Sequence, residues 1–76
     1  MNSTAAIKTT YRITFANGAT KTFKSSLPIA FALITDRNTM WAKSATRAGC
    51  ESAAVRDAKH LALCGITTTV VPVEVV

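Results

Sequence analysis

The chain has 76 residues, 49% of them hydrophobic, a mean hydropathy of +0.25 and a formal charge of +5. These values fit one small domain and exclude a largely disordered chain, since enough apolar surface is present to build a core. The longest apolar run, Leu27–Ile34, falls well short of the roughly 18 residues that a membrane span needs.

Residues 1–6 are small and polar and are expected to fray. Residues 7–15 alternate, with Ile7, Tyr11, Ile13 and Phe15 on one parity and Lys8, Thr10, Arg12 and Thr14 on the other, which predicts a strand with one buried face. Asn17-Gly18 then signals a hairpin. A two-residue loop would set Arg12 opposite Phe23 and split the aromatics between two faces. A three-residue loop, Ala16-Asn17-Gly18 with Gly18 left-handed, pairs Phe15 with Ala19, Ile13 with Lys21 and Tyr11 with Phe23. The second register gathers the aromatics and is the one expected.

Ser25-Ser26-Leu27-Pro28 reads as a helix start, a serine cap followed by proline in the first turn, so a short buried helix is expected over 27–35. Asp36-Arg37-Asn38 breaks it. Residues 39–46 fit either a short third strand, with Trp41, Lys43 and Ala45 on one parity, or a continuation of the helix; the strand is preferred. The main helix is expected from Gly49 or Cys50 to Cys64, with Ala54, Ala58, Leu61 and Cys50 as candidates for one face and Gly65 as its C′ residue. Ile66–Val75 reads as a Thr/Val strand in which Pro72 demands an edge or a bulge. The fold class is therefore α+β: an N-terminal hairpin and a C-terminal strand in a small antiparallel sheet, packed against one main helix with a short second helix. A core so poor in large side chains leaves room for stabilisation by homodimerisation or by docking onto a larger partner.

The N-terminus lacks the charged and apolar regions of a signal peptide, and two cysteines are few for a secreted domain of this size. A cytoplasmic, intracellular location is expected. On one helix Cys50 and Cys64 would stand about 21 Å apart, whereas a disulfide needs Cα atoms within about 7 Å. Both read as reduced thiols.

Asp57, His60 and Cys64, at i, i+3 and i+7 of the main helix, are the residue types of a cysteine hydrolase. Sharing a helix face does not bring nucleophile and base within reach beside an oxyanion site. A thiol at a helix C-terminus also meets the wrong end of the dipole for thiolate formation. No C-x-x-C pair, second histidine, Gly-rich phosphate loop or paired carboxylates occur. No catalytic residue, metal or cofactor is therefore expected.

Charge carries the remaining signal. Residues 1–47 hold seven cations, Lys8, Arg12, Lys21, Lys24, Arg37, Lys43 and Arg47, against Asp36 alone; residues 48–76 hold Arg56 and Lys59 against Glu51, Asp57 and Glu74. Those seven cations form the candidate basic face, centred on the hairpin surface around Lys8, Arg12, Lys21 and Lys24 and extended over Arg37–Arg47. Such a face suits an acidic protein surface or a polyanion. Direct nucleic-acid binding is the alternative, with Trp41 or Tyr11 available for stacking, although the hairpin aromatics belong to the core parity.

The compact hairpin at Tyr11–Phe23, one Ala-rich helix at Cys50–Cys64, a closing strand at Ile66–Val75 and the lack of a catalytic set give a layout that resembles small accessory proteins of phages and mobile elements, including some anti-CRISPR proteins. The resemblance is one of size and plan. It implies a non-enzymatic inhibitor or adaptor that docks on a host protein or ribonucleoprotein complex. Many anti-CRISPR proteins are acidic DNA mimics, and this basic chain departs from that pattern.

Overall fold

The computed structural model describes residues 8–76. The fraying expected of residues 1–6, and the start of the first strand at Ile7, lie outside them. Strands β1 (Thr9–Thr14), β2 (Thr20–Ser25), β3 (Phe31–Thr35) and β4 (Met40–Ser44) precede helices α1 (Arg47–Arg56) and α2 (Ala58–Leu63), and β5 (Thr68–Pro72) and β6 (Glu74–Val75) close the chain. The α+β class is as expected, and so is the sheet that the hairpin makes with the C-terminal strand, in the order β2-β1-β6. A second antiparallel sheet, β4-β3-β5, lies beside it.

The second sheet is the middle layer. Ala32 and Ile34 on one of its faces pack with Ile13 and Phe15 of the hairpin, and Leu33 on its other face packs with Cys50 and Ala53 of α1. The main helix therefore covers the second sheet, and the hairpin sheet lies against that sheet's opposite face. One extended segment joins the layers: β5 pairs with β3, Val73 donates its N–H to Ala30 O at 2.9 Å, and β6 pairs with β1.

The hairpin has the register that the aromatic pairing demands. Tyr11 faces Phe23, Ile13 faces Lys21, and Phe15 donates to Ala19 O at 2.8 Å. Tyr11 and Phe23 stack with ring centroids 5.5 Å apart. Gly18 closes the loop at φ +89°, in the left-handed region that glycine enters without a Cβ penalty.

The segment 27–35 corrects the expectation of a helix. Phe31–Thr35 is the central strand of the second sheet, and Ala32, Leu33, Ile34 and Thr35 are all buried. A strand covered on both faces is apolar throughout, so its periodicity matches that of a buried helical turn. β4 fulfils the strand reading of 39–46 but breaks its parity. Leu33 pairs with Ala42 and Ile34 with Met40, leaving Trp41 as the extra residue of a β-bulge. The bulge puts Trp41 beside Ala42 in the helix-side cluster, while Lys43 lies over the hairpin's Phe23.

The expected 50–64 helix begins earlier and divides. Thr46 caps α1, its hydroxyl accepting from Gly49 N–H at 3.1 Å. The helix breaks at Asp57 (φ −101°, ψ 7°), and α2 continues to a C-terminus where Ile66 N–H reaches Leu61 O and Gly65 N–H reaches Ala62 O. These two bonds, with Gly65 at φ +67°, form the Schellman closure that the glycine predicts. Both cysteines are free; Cys50 is fully buried and Cys64 exposed. Burial pushes the Cys50 thiol up, with the Arg47 charge opposing, so this group is a neutral packing element.

The sheet edges are guarded against further strand pairing. β2 carries Lys21 and Lys24, β4 has its bulge, and β5 contains Pro72, where the sequence required an edge or a bulge. Gly49 lets α1 approach β4: an added Cβ would overlap the Ser44 hydroxyl and stand 2.8 Å from Ser44 Cβ. Gly49→Ala is expected to lower stability by about 1–3 kcal/mol, as overpacking does. Urea unfolding followed by far-UV circular dichroism measures it; an unchanged midpoint would show that α1 does not rest on Ser44.

Candidate binding face

The seven candidate cations do not form one surface. Lys8, Arg12 and Lys24 share the outer parity of the hairpin sheet, because Arg12 pairs with Thr22 and Thr10 with Lys24. Arg12 is half committed, lying 3.3 Å from Glu74 on β6. Lys21 does not belong to this outer face. It sits opposite Ile13, so its parity is that of the core, and it is exposed only because it lies toward the open turn.

Arg37 sits apart at the opposite end of the second sheet, in the β3–β4 turn, and donates to Cys64 O at 2.8 Å. That bond satisfies a free carbonyl at the end of α2, a structural task. The remaining two, Lys43 and Arg47, lie over aromatic rings. Lys43 Nζ is 5.5 Å from the Phe23 centroid and the Arg47 guanidinium 5.2 Å from that of Phe31. Each ring steadies a cation without neutralising it, a contact worth about 0.5–1 kcal/mol at exposed sites.

Strand directions bring four of these cations to one end. Lys24 is the last residue but one of β2, Lys8 precedes β1, where Thr9 pairs with Ser25, and Lys43 and Arg47 flank the end of β4 at Ser44. The loop between β2 and β3 lies at the same end, since Ala30 donates to Ser44 O at 3.0 Å and Ile29 donates to the Tyr11 hydroxyl at 3.3 Å. Among the described residues the only ion pairs are Arg12–Glu74 and Arg56–Asp57, so these four cations face solvent without an acidic partner. Aromatic burial under Lys43 and Arg47 was the missing sequence signal. Phe23 and Phe31 precede their cations by 20 and 16 residues, a separation that no local pattern reveals.

The Asp57, His60, Cys64 set takes a different arrangement from a triad. Asp57 accepts from Trp41 Nε1 at 2.9 Å and from Arg56 at 3.0 and 3.2 Å, while Cys64 Sγ lies 3.8 Å from His60 Nε2 on the exposed side of α2. The acid thus fixes the bulged tryptophan instead of orienting the imidazole. Among the described residues no group of three His, Cys, Asp or Glu side chains is placed to hold a metal ion, and no helix is long and apolar enough to cross a membrane.

The hydrogen bonds from Arg56 and then Trp41 hold the Asp57 carboxyl below its ordinary range. An acid with a depressed folded pKa stabilises the fold above its unfolded value, about 3.9, and this contribution is lost as pH falls below that value. Trp41 is the single tryptophan and reports the change. Its fluorescence is expected to shift in acid, at a pH lower than an ordinary aspartate titrates, and Asp57→Asn is expected to abolish that step. A step that persists unchanged in Asp57→Asn would show that the indole does not sense this carboxylate.

No protein-family model, curated protein or solved structure matches the chain.

Proposed function

We propose that the chain is a non-enzymatic binding protein that docks through its basic face onto a host protein or protein–nucleic-acid complex, in the manner of phage-type inhibitors and adaptors of the anti-CRISPR kind. The observation that carries this reading is the set of unpaired cations at one end of the fold, two of them held over Phe23 and Phe31. These cations share one end of the fold across its layers, Lys24 on the outer hairpin face, Lys43 over Phe23 and Arg47 over Phe31, and like charges gathered at one end of a small domain weaken the compact state through self-repulsion. Their retention is accounted for by a partner that neutralises them. Engagement of Asp57 by Trp41 and Arg56 supports the non-enzymatic side, because the His60–Cys64 pair then lacks an orienting carboxylate.

Affinity purification from the native host, with and without nuclease, tests the reading. The expected result is a protein partner that co-purifies in both samples. Loss of every partner after nuclease treatment would replace this reading with direct nucleic-acid binding, which also predicts a steep salt dependence.

A further inference from the structure

We infer that the end of the fold formed by Lys24, Leu27, Lys43 and Arg47 is a docking surface for an acidic protein segment that carries an apolar anchor. This rests on the basic-face reading and names its occupant. Leu27 is 69% exposed in the loop between β2 and β3, at the end that holds the unpaired cations. The loop is tied down on both sides of the sandwich. Leu27 N–H donates to Ser25 Oγ at 3.1 Å, Ile29 N–H to the Tyr11 hydroxyl, and Ala30 N–H to Ser44 O. The leucine is therefore presented on a fixed backbone, which lowers the ordering cost of binding.

Charge and apolarity here point to one class of occupant. Among the described residues no acid is paired with Lys24, Lys43 or Arg47, and Glu51, four residues beyond Arg47, makes no ion pair with it. Arg47 stays over Phe31 with its planar fork able to take a carboxylate in two-pronged fashion. A nucleic acid would want free ring faces for its bases. Tyr11 is buried against Phe23, Lys43 covers Phe23, Arg47 covers Phe31, and Trp41 is half-buried with its N–H on Asp57. An exposed leucine three residues after Lys24, at the cations' end of the fold, contributes nothing to a phosphate backbone, whereas it matches the apolar anchor of a protein interface with a polar rim.

The test titrates the whole protein into three labelled probes of equal charge at about 50 mM salt, read by fluorescence anisotropy. The probes are a peptide of glutamate interspersed with leucine, a polyglutamate peptide and a single-stranded oligonucleotide. The glutamate–leucine peptide is expected to bind at least about fivefold tighter than polyglutamate, an advantage within the range of one buried side chain. Leu27→Ser should erase that advantage, Lys43→Glu with Arg47→Glu should weaken both peptides by at least about fourfold, and Lys59→Glu on α2 should change neither. Equal or tighter binding of polyglutamate or the oligonucleotide, or an advantage that survives Leu27→Ser, overturns the inference and leaves the basic face in place. Binding indifferent to the double charge reversal overturns both. Thermal melts of Leu27→Ser are expected to match the parent, since the side chain is largely in solvent.

Discussion

Leu33→Ala is expected to remove about 2–5 kcal/mol of stability, the range for truncating a large buried aliphatic side chain in a core that relaxes only partly. Leu33 is 1% exposed in the central strand of the middle sheet, paired with Ala42 on one side and Val70 on the other and roofed by Cys50 and Ala53. Its neighbours are anchored by two strands and a helix, so they cannot close the void. Whole-domain stability at this length is about 4–11 kcal/mol, and each kcal/mol moves the melting temperature by about 4–8 °C. The substitution should therefore lower the melting temperature by about 8–40 °C. Val55→Ala, at a side chain 78% exposed on the outer face of α1, should stay within about 0.5 kcal/mol of the parent. Similar melts for the two variants would contradict the three-layer core.

Much of this core was legible in the chain. Alternation from Tyr11 to Phe15 and the Asn17-Gly18 turn specify the first hairpin down to its register, because only one loop length gathers Tyr11, Ile13, Phe15 and Phe23 on one face. The second hairpin repeats that turn without its glycine. Thr35 donates to Thr39 O at 2.9 Å and Asn38, at φ +58°, takes the place that Gly18 holds in the first. Asn enters this region at modest cost, and the Thr35 and Thr39 hydroxyls, 2.7 Å apart, close the turn from inside. Read as a helix break, Asp36-Arg37-Asn38 concealed a hairpin of the same class.

The helix over 27–35 failed for a related reason. Ser-Ser-Leu-Pro imitates a cap, and the run to Thr35 is too short and too apolar for period alone to separate helix from strand. Turn chemistry at Asn38 was the available arbiter. The candidate face was legible as charge and not as place: Lys24, Lys43 and Arg47 reach one end of the fold through strand pairings and ring contacts distant in sequence, while Lys21 and Arg37 are drawn off by strand parity and a carbonyl cap.

The second large effect concerns that face. Exchanging Lys43 and Arg47 for glutamate turns attraction into repulsion at two exposed positions. Each exposed charge contact is worth about 0.2–1 kcal/mol, and reversal roughly doubles the change, so the pair should weaken partner binding by about fourfold to several-hundredfold. The same exchange removes two cation–aromatic contacts, at about 0.5–1 kcal/mol each. A control of comparable stability is therefore needed. Thr46→Ala supplies it, because losing the α1 cap costs about 1 kcal/mol with no change of charge.

The most direct measurement is the amount of protein partner retained from nuclease-treated host extract by the parent, by Lys43→Glu with Arg47→Glu, and by Thr46→Ala, each below its melting temperature. Binding through the basic end predicts full retention on the parent and on Thr46→Ala, and loss of at least about three-quarters on the doubly reversed protein under subsaturating conditions. Full retention on the doubly reversed protein would contradict it.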